Sequence, residues 1–380
     1  MSAPSSLSLL SHFANLPDPR VERTKHHRLL DIVAIAICAV IGGADDWVAV
    51  EAFGKAKFDW LKRFLELPNG IPSHDTFGRV FARIDPEAFA ACFRSWVAAL
   101  CDCLGLEQVA IDGKALRRSH DKGKGKAALH LVSAWACASQ LTLAQQATDA
   151  KSNEITAIPK LLELLDLHGA LVSIDAMGCQ KDIARQIREQ GGDYLLAVKD
   201  NQPHLHQDIE AFFFAGLDDD FADVTYAYAF SEEVGHGREE ERGCWVFNAS
   251  DVPIRDADLW LDLRTVGVVV SERALADKSS AEVRCYISSR VLDAKEFAAG
   301  VRDHWGIENG CHWVLDVAFD EDRSRVRKDH APENLALLRR LALSLLKRAQ
   351  GVKCGVKNRR LTAGWDTTFL ERVLLGFDLV

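Results

Sequence analysis

The chain has 380 residues, 48% hydrophobic and 27% charged, which is typical of a globular protein with sizeable cores and two or three domains. Residues 32–41, its most apolar run, are about half as long as a bilayer span, and no positive cluster precedes an apolar segment at the N-terminus, so we expect neither a membrane partner nor a signal peptide. Ten cysteines without a C-x-x-C pair predict reduced thiols in a cytoplasmic protein and no structural zinc.

Charge is strongly segregated along the chain. The net charge of −9 argues against indiscriminate coating of nucleic acid. Residues 112–126 nevertheless carry six Lys/Arg against two Asp/Glu, and residues 323–360 carry twelve against two. Residues 207–262 carry three against fifteen. Local positive fields of this kind suit a polyanionic substrate, although solvated basic helix faces explain part of the pattern.

Residues 1–105 are predicted to form a helical N-terminal domain. Apolar residues recur at helical spacing in three segments, 29–41, 47–65 and 86–104. A Pro/Gly turn at 68–72 precedes Ser73, which is a candidate N-cap for a helix that carries Arg79 and Arg83 on one side. This arrangement predicts either a helix-turn-helix that binds DNA or a plain helical accessory domain.

Residues 106–202 are predicted to form the first part of an α/β core. Short β-type runs precede an amphipathic helix at 154–165, and buried strands at 170–175 and 194–199 flank a helix at 181–190. The order β-β-β-α-β-α-β is that of a ribonuclease-H-like mixed sheet, and it differs from the regular alternation of a dinucleotide-binding fold.

The remaining chain is predicted to contain an insertion and closing helices. Strand candidates at 224–230, 239–247, 259–270 and 282–288 give residues 203–290 the character of a mainly β insertion. Residues 291–350 are predicted to be helices that close the core, and 351–380 a C-terminal tail.

Asp112 and Asp175 are the strongest candidates for chemistry. Each follows an apolar strand, where a carboxylate is costly unless it has a use. Two carboxylates held close repel each other, and bound divalent cations relieve that repulsion. Glu308 is a third acid, on a later helix, but spacing alone does not select it over its acidic neighbours, which are Asp303, Asp316, Asp320, Glu321 and Asp322.

Several motifs together resemble one family of proteins. The chain is similar to the DDE transposases of bacterial insertion sequences, in the subgroup of H-repeat-associated proteins. The similarity extends from about residue 16 to about residue 347. It is carried by the segments Asp112-Gly-Lys-Ala-Leu-Arg117, Lys151-Ser-Asn-Glu-Ile-Thr-Ala-Ile-Pro159, Ile174-Asp-Ala-Met-Gly-Cys-Gln180, Asp193-Tyr194, Lys199-Asp-Asn-Gln202, His236-Gly-Arg238, His304-Trp-Gly-Ile-Glu-Asn309, His312-Trp-Val-Leu-Asp-Val317 and Glu321-Asp-Arg-Ser-Arg325.

The resemblance implies an activity and a set of catalytic residues. It implies that Asp112, Asp175 and Glu308 hold Mg²⁺, for which Mn²⁺ can substitute, and that one site cuts element ends and joins them to target DNA. Double-stranded DNA is then the partner, and synapsis of two ends implies a homodimer on DNA. Related transposases carry an Arg and a Lys around the glutamate, where this chain has His304 and Leu315. Arg302 or His304 is the candidate replacement.

Further basic and polar residues are candidates for DNA contacts. For most of them a structural role is the alternative: a solvated loop for the residues after Asp112, a paired network for the strand face that carries residues 236–242, and an Asx turn at 199–201. The tryptophans Trp305 and Trp313 predict core packing, with stacking on a DNA end as the alternative. The candidates beyond Arg302 and His304 are Lys114, Arg117, Arg118, Lys199, Asn201, His236, Arg238, Arg323 and Arg325.

Two other functions remain open. One is an inactive or domesticated family member that binds DNA without moving it, and the other is a Mg²⁺-dependent nuclease that cuts but does not join. The sequence lacks the glycine-rich motifs of nucleotide-binding enzymes at a strand–helix junction, which argues against that class.

Overall fold

A computed structural model describes residues 7–101, 108–120, 123, 125–148, 154–235, 238–275 and 278–375. The described part of the chain begins with helices around one central helix, which lies inside the core and is apolar on every side from Ile32 to Ile41. The Ser73 hydroxyl accepts a hydrogen bond from the Thr76 amide at 3.4 Å, which confirms the predicted N-cap. The N-terminal helices are α1 (Leu7–Phe13), α2 (Leu29–Ile41, the central helix), α3 (Trp47–Ala56), α4 (Phe58–Leu61), α5 (His74–Phe81) and α6 (Pro86–Cys101).

The predicted order β-β-β-α-β-α-β is found in the next segment. Strand β1 pairs antiparallel with β2 and parallel with β4, and β4 pairs parallel with β5. The strand β4 is buried throughout, in accordance with its continuous apolar sequence. The elements are β1 (Gln108–Leu116), β2 (Leu129–Ala136), β3 (Leu141–Ala147), α7 (Glu154–Leu162), β4 (Leu171–Ile174), α8 (Lys181–Glu189) and β5 (Asp193–Val198).

The β-rich segment extends the core sheet. After α9 (Pro203–Asp218) come β6 (Tyr226–Gly235), β7 (Arg238–Asn248), β8 (Thr265–Leu275) and β9 (Lys278–Ser288). Strand β9 pairs antiparallel with β5, so the described strands form one mixed sheet in the order β3-β2-β1-β4-β5-β9-β8-β7-β6. The expectation of a strand from residue 259 was wrong at its start, because β8 begins only at Thr265.

The closing segment contains more helix than the sequence predicted. Arg360, on a helix within the segment expected as a tail, donates hydrogen bonds to Val40 O and Asp45 Oδ1, both at 2.9 Å. No helix within the described ranges is both long and apolar enough to cross a bilayer. The elements are α10 (Ala294–Ile307), a π-helical turn (Glu308–His312), α11 (Trp313–Phe319), α12 (Ala331–Arg348), α13 (Val356–Trp365) and α14 (Thr367–Leu375).

Glu333, in the first turn of α12, gives the fold a pH dependence. Burial, reinforced by the Glu87 and Asp85 carboxylates, raises the pKa of Glu333 from 4.5 to about 7. The folded protein therefore holds this proton more tightly than the unfolded chain, and this contribution to stability is lost as pH rises from about 4.5 through 7. We expect Glu333→Gln to be more stable than wild type at pH 8 by about 1–2 kcal/mol, and nearly equal to it at about pH 4, below the pKa of the unfolded chain. Urea unfolding at both pH values measures this, and an equal difference at both would contradict it.

Candidate active site

Asp112 and Asp175 lie side by side on neighbouring parallel strands. The pairing of Ile111 with Ile174 places the residue that follows each of them, Asp112 and Asp175, at the same level of the sheet. The prediction that the first strand ends at Asp112 was wrong, because β1 continues to Leu116 along β2. Strand β4 does end before Asp175, so the pairing of β1 with β4 stops just before the two carboxylates.

Backbone and amide groups hold the Asp175 segment in place. The Asp175 carboxylate caps the short helical turn Ala176–Gly178 and accepts hydrogen bonds from the amides of Met177 at 3.1 Å and Gly178 at 3.4 Å. Asn201 donates from Nδ2 to Ala176 O at 2.6 Å. The structure thus places Asn201 in a hydrogen bond to the backbone of the residue that follows Asp175.

Glu308 interacts electrostatically with the same pair. Burial raises the pKa of Glu308, and the Asp112 carboxylate raises it further. Burial also raises the pKa of Asp175, followed by the carboxylates of Asp112 and Glu154. Two other acids near Glu308 have different partners, since Asp316 lies 2.6 Å from Lys114 and Asp320 lies 3.6 Å from Arg323. The structure therefore brings Asp112, Asp175 and Glu308 into one electrostatic neighbourhood.

The donor chemistry of these acids fits a hard divalent cation. Carboxylate oxygens are the ligands that Mg²⁺ and Mn²⁺ prefer, and close, partly buried carboxylates gain most from a shared cation. Within the described ranges, no group of three His, Cys, Asp or Glu side chains stands at metal-ligand spacing. The three acids therefore match a divalent cation in the type of their donor atoms and in their charge, and not in metal-ligand spacing.

Histidines flank the acids from the helical side. The Nδ1 atom of His312 lies 3.1 Å from Asp112 Oδ2, and the side chain of His312 is 11% exposed. The Nδ1 atom of His304 lies 3.1 Å from Ser173 Oγ on β4. Burial lowers the pKa of His304, an effect that Asp112 opposes. His312 was not among the predicted site residues, because a π-helical turn of five residues has no periodic signature in the sequence.

A fourth carboxylate, Glu154, approaches from α7. Its Oε1 atom lies 2.6 Å from His130 Nε2, and its side chain is 14% exposed. Gly113 makes room for this pair, because a Cβ atom there would lie 2.0 Å from Glu154 Oε1 and 2.5 Å from His130 Nε2. The glycine beside Asp112 is therefore required by close packing rather than by an unusual backbone angle.

Gly113→Ala is expected to destabilise the protein by about 1–3 kcal/mol, because the new methyl group must push Glu154 away from His130 in a part-buried site. Urea unfolding measures this difference. The double variant Gly113→Ala/Glu154→Ala is the control, since removing the Glu154 carboxylate makes room for the methyl group and should recover part of the loss. An equal loss from Gly113→Ala in the Glu154→Ala background would show that the clash lies elsewhere.

The basic residues after Asp112 differ in their surroundings. Lys114 is buried, and its ammonium group lies 2.6 Å from Asp316 and 3.5 Å from Asp322, so the structure places it in an internal ion cluster. Arg117 is 80% exposed and lies 3.1 Å from Asp322. Arg118 is exposed, and its carbonyl accepts a hydrogen bond from Arg327 Nε at 2.9 Å.

The other candidates for DNA contact are scattered. Arg323, Arg325 and Lys199 are exposed. Arg302 is exposed and paired with Glu233. His236 lies outside the described residues, and for Arg238 the structure describes only the backbone, at the start of β7.

The surroundings of Glu240 and of the two tryptophans agree only in part with what the sequence predicts. Glu240, on the same predicted strand face as residues 236 and 238, is buried against Arg242 at 2.7 Å and Arg273 at 3.0 Å, which agrees with the paired-network alternative. The prediction of core packing was wrong for Trp313, which is 62% exposed. Trp305 stacks against the Arg284 guanidinium, which lies 4.7 Å from the centre of the Trp305 ring.

An open cleft of about 620 Å³ lies between the N-terminal helices and the segment 323–328. Arg79 of α5 lines it together with Arg323 and Arg325. The cleft is of mixed charge, because acidic side chains line it too. Its remaining charged residues are Asp45, Asp46, Asp75, Asp320, Arg327 and Lys328, with His74 beside them.

Comparison with known protein families gives matches along most of the chain. Residues 10–97 match the family described as DDE_Tnp_1-associated, and residues 104–345 match the family described as Transposase DDE domain.

Individual relatives match over nearly their full length. YncI of Escherichia coli O157:H7 is 43% identical over 97% of this chain and 96% of its own, and it carries a provisional transposase name. The H repeat-associated protein YhhI of Escherichia coli K12, also provisionally named a transposase, is 41% identical over 98% of both chains. YbfQ of the same strain, named an inactive transposase, is 43% identical over 20% of this chain and 89% of its own.

Among solved structures, a piggyBac transposase synaptic complex with hairpin DNA overlaps 97% of this chain and 81% of its own. The identity is 9% and the TM-score 0.41, a likeness too slight to support a conclusion.

Proposed function

Because this chain belongs to the DDE transposase family, we propose that it cuts DNA at the ends of an insertion sequence and joins those ends to target DNA, with Asp112, Asp175 and Glu308 as the catalytic acids. The observation that carries the proposal is the position of Asp112 and Asp175 at one level of adjacent parallel strands. Glu308 lies in the electrostatic field of both. We further propose that the strands β3-β2-β1-β4-β5 and their helices form a ribonuclease-H-like core, on the basis of strand order and connectivity.

The three acids would hold Mg²⁺, or Mn²⁺ in its place. When bound, such a cation activates the attacking oxygen and neutralises charge on the leaving oxygen during in-line displacement. The chain's own groups fix the ligands. The amides of Met177 and Gly178 orient Asp175, and Asn201 fixes the backbone of Ala176 beside it. No covalent bond between protein and DNA is needed, so the proposal requires no serine or tyrosine nucleophile.

Exposed basic residues give the DNA backbone a path to these acids. Arg117 and Arg118 follow β1 directly, and the hydrogen bond from Arg327 to the Arg118 carbonyl ties this loop to the segment that carries Arg323 and Arg325. Phosphate contacts of this kind position a duplex without reading its sequence. We propose that the duplex follows this band, and that exposed Trp313 stacks on an unpaired base near the cut. The Lys114 ammonium group holds the acidic segment 316–322 in place through its contacts with Asp316 and Asp322.

The partner is double-stranded DNA at the element ends and at the target. Two ends must be brought together, so we propose a homodimer assembled on DNA. Because the proposed substrate is DNA, we propose that the protein acts in the cytoplasm.

The test is an assay of purified protein on DNA that carries the repeats flanking the gene, with Mg²⁺, Mn²⁺ or neither. We expect metal-dependent nicks at the element ends and covalently joined strand-transfer products. Nicks without joined products would identify a nuclease. Salt-dependent DNA binding without any cleavage would identify an inactive member, as the name of YbfQ describes for that relative.

A further inference from the structure

We propose that His312 is a positioning residue that fixes the Asp112 carboxylate, and that it is the basic group which this chain uses beside its catalytic glutamate. The proposal rests on the proposed function of Asp112 and Glu308. The positions of the three acids do not by themselves identify His312.

The π-helical turn Glu308–His312 presents both residues to the same strand. A π turn inserts one extra residue between two α-helices and rotates the side chains of the turn relative to a regular helix, and such turns are frequent at functional sites. Here the turn joins α10 to α11. The residue at its start lies in the field of Asp112, and the residue at its end touches Asp112 directly.

The contact is shielded and specific. His312 Nδ1 lies 3.1 Å from Asp112 Oδ2, and the two side chains are 11% and 17% exposed. The other ring nitrogen, Nε2, is buried and has no hydrogen-bond partner within the described part of the chain. Leaving a buried polar atom unsatisfied costs about 1–3 kcal/mol, so a residue chosen for stability alone would not be expected here. The ring is oriented by the carboxylate that it touches.

Other side chains near Glu308 are not placed for this role. Leu315, at the position where related transposases carry a lysine, is fully buried and apolar. His304 directs Nδ1 to Ser173 Oγ instead of to an acid. Arg302 is exposed and pairs with Glu233 on β6. Among the basic candidates around the glutamate, His312 is therefore the one that the structure places against a catalytic acid.

Three substitutions of His312 distinguish the contact made by Nδ1 from the effect of side-chain volume. The amide nitrogen of Asn occupies the place of Nδ1, and that of Gln occupies the place of Nε2, whereas Leu keeps an apolar volume. We expect His312→Asn to behave as wild type. We expect His312→Gln and His312→Leu to bind Mn²⁺ at least about tenfold more weakly, as is usual for loss of a residue that supports a metal ligand. They should also cut DNA at least about tenfold more slowly, with an unchanged KM for DNA.

The experiment is a Mn²⁺ titration of each DNA-free protein by electron paramagnetic resonance, beside single-turnover cleavage and thermal unfolding. His204→Gln, on the exposed face of α9, is the matched control for a His→Gln change. Should His312→Leu fail to fold, the comparison of Asn with Gln decides alone. Equal Mn²⁺ affinity in wild type, Asn and Gln would overturn the role of His312 and leave the proposed function intact. A wild type that binds Mn²⁺ with the expected order of variants but never cuts DNA would overturn the function and support His312. A wild type that binds no Mn²⁺ would overturn both.

Discussion

Asp112→Asn is expected to lower the rate of end cleavage on the order of 10³-fold, equivalent to about 4 kcal/mol of activation free energy. The substitution keeps the size of the side chain and removes its charge. It takes away one of the three acids and the carboxylate that His312 touches at 3.1 Å. DNA affinity should change little, since the basic residues Arg117, Arg323 and Arg325 are untouched. Single-turnover cleavage and a gel-shift titration, run on the same preparations, measure the two quantities.

Asp303→Asn is the matched control, because Asp303 is exposed on α10, a few residues before the π-helical turn. It should cut at the wild-type rate. If Asp112→Asn retained more than about a tenth of wild-type activity, the role of Asp112 would have to be abandoned. If it lost DNA binding to the same degree as cleavage, the residue would serve to hold DNA.

Arg340→Met is expected to destabilise the fold by about 3 kcal/mol, the lower end of the usual cost of removing one partner of a buried ion pair, because the Lys114 ammonium group at 3.9 Å still faces the Glu321 carboxylate. Arg340 and Glu321 are both fully buried, with Nη1 of the arginine 3.3 Å from Oε1 of the glutamate. Arg340 Nε also donates to Ser133 Oγ at 3.3 Å, and Ser133 pairs with Asp112 in the sheet register. The ion pair therefore lies directly behind the candidate active site. Urea unfolding followed by fluorescence and circular dichroism measures the loss.

The double variant Arg340→Met/Glu321→Leu separates the charge from the packing. Removing both charges should recover most of the stability, because an apolar pair of similar volume replaces a buried ion pair at little cost. No recovery in the double variant would show that Arg340 contributes mainly through its bonds to Ser133 and to Ala336 O.

Local sequence signals predicted the elements of the first core segment and the adjacency of Asp112 with Asp175. Strand and helix periods are local properties, and the Ser73 cap depends on a contact three residues away. Local signals do not predict the pairing of β9 with β5. It pairs Leu195 with Ser288, residues far apart in sequence, and nothing local in either strand specifies the other as its partner. The insertion was therefore expected as a separate unit, whereas its strands continue the core sheet.

In the candidate site, too, local features could be predicted from the sequence and long-range contacts could not. Lys114 stands two residues after Asp112, which suggested a phosphate contact, but its partners Asp316 and Asp322 lie some 200 residues later and bury it. Glu308 could not be chosen by spacing, because the contact of its acidic neighbour Asp316 with Lys114 joins residues 202 positions apart and is visible only in three dimensions. A π turn leaves no periodic signature over five residues, so the approach of His312 to Asp112 could not be read from the sequence either.

Metal-dependent cleavage and joining of element-end DNA by Asp112→Asn, Asp175→Asn and Glu308→Gln, beside Asp303→Asn and wild type, tests most directly whether the three acids form one active site. The predicted result is loss of nicks and joined products together in each of the three, with DNA binding retained, and wild-type products from Asp303→Asn. Nicking at the wild-type rate by any one of the three variants would contradict the assignment of that acid. Metal-independent nicking by all of them would contradict the site as a whole.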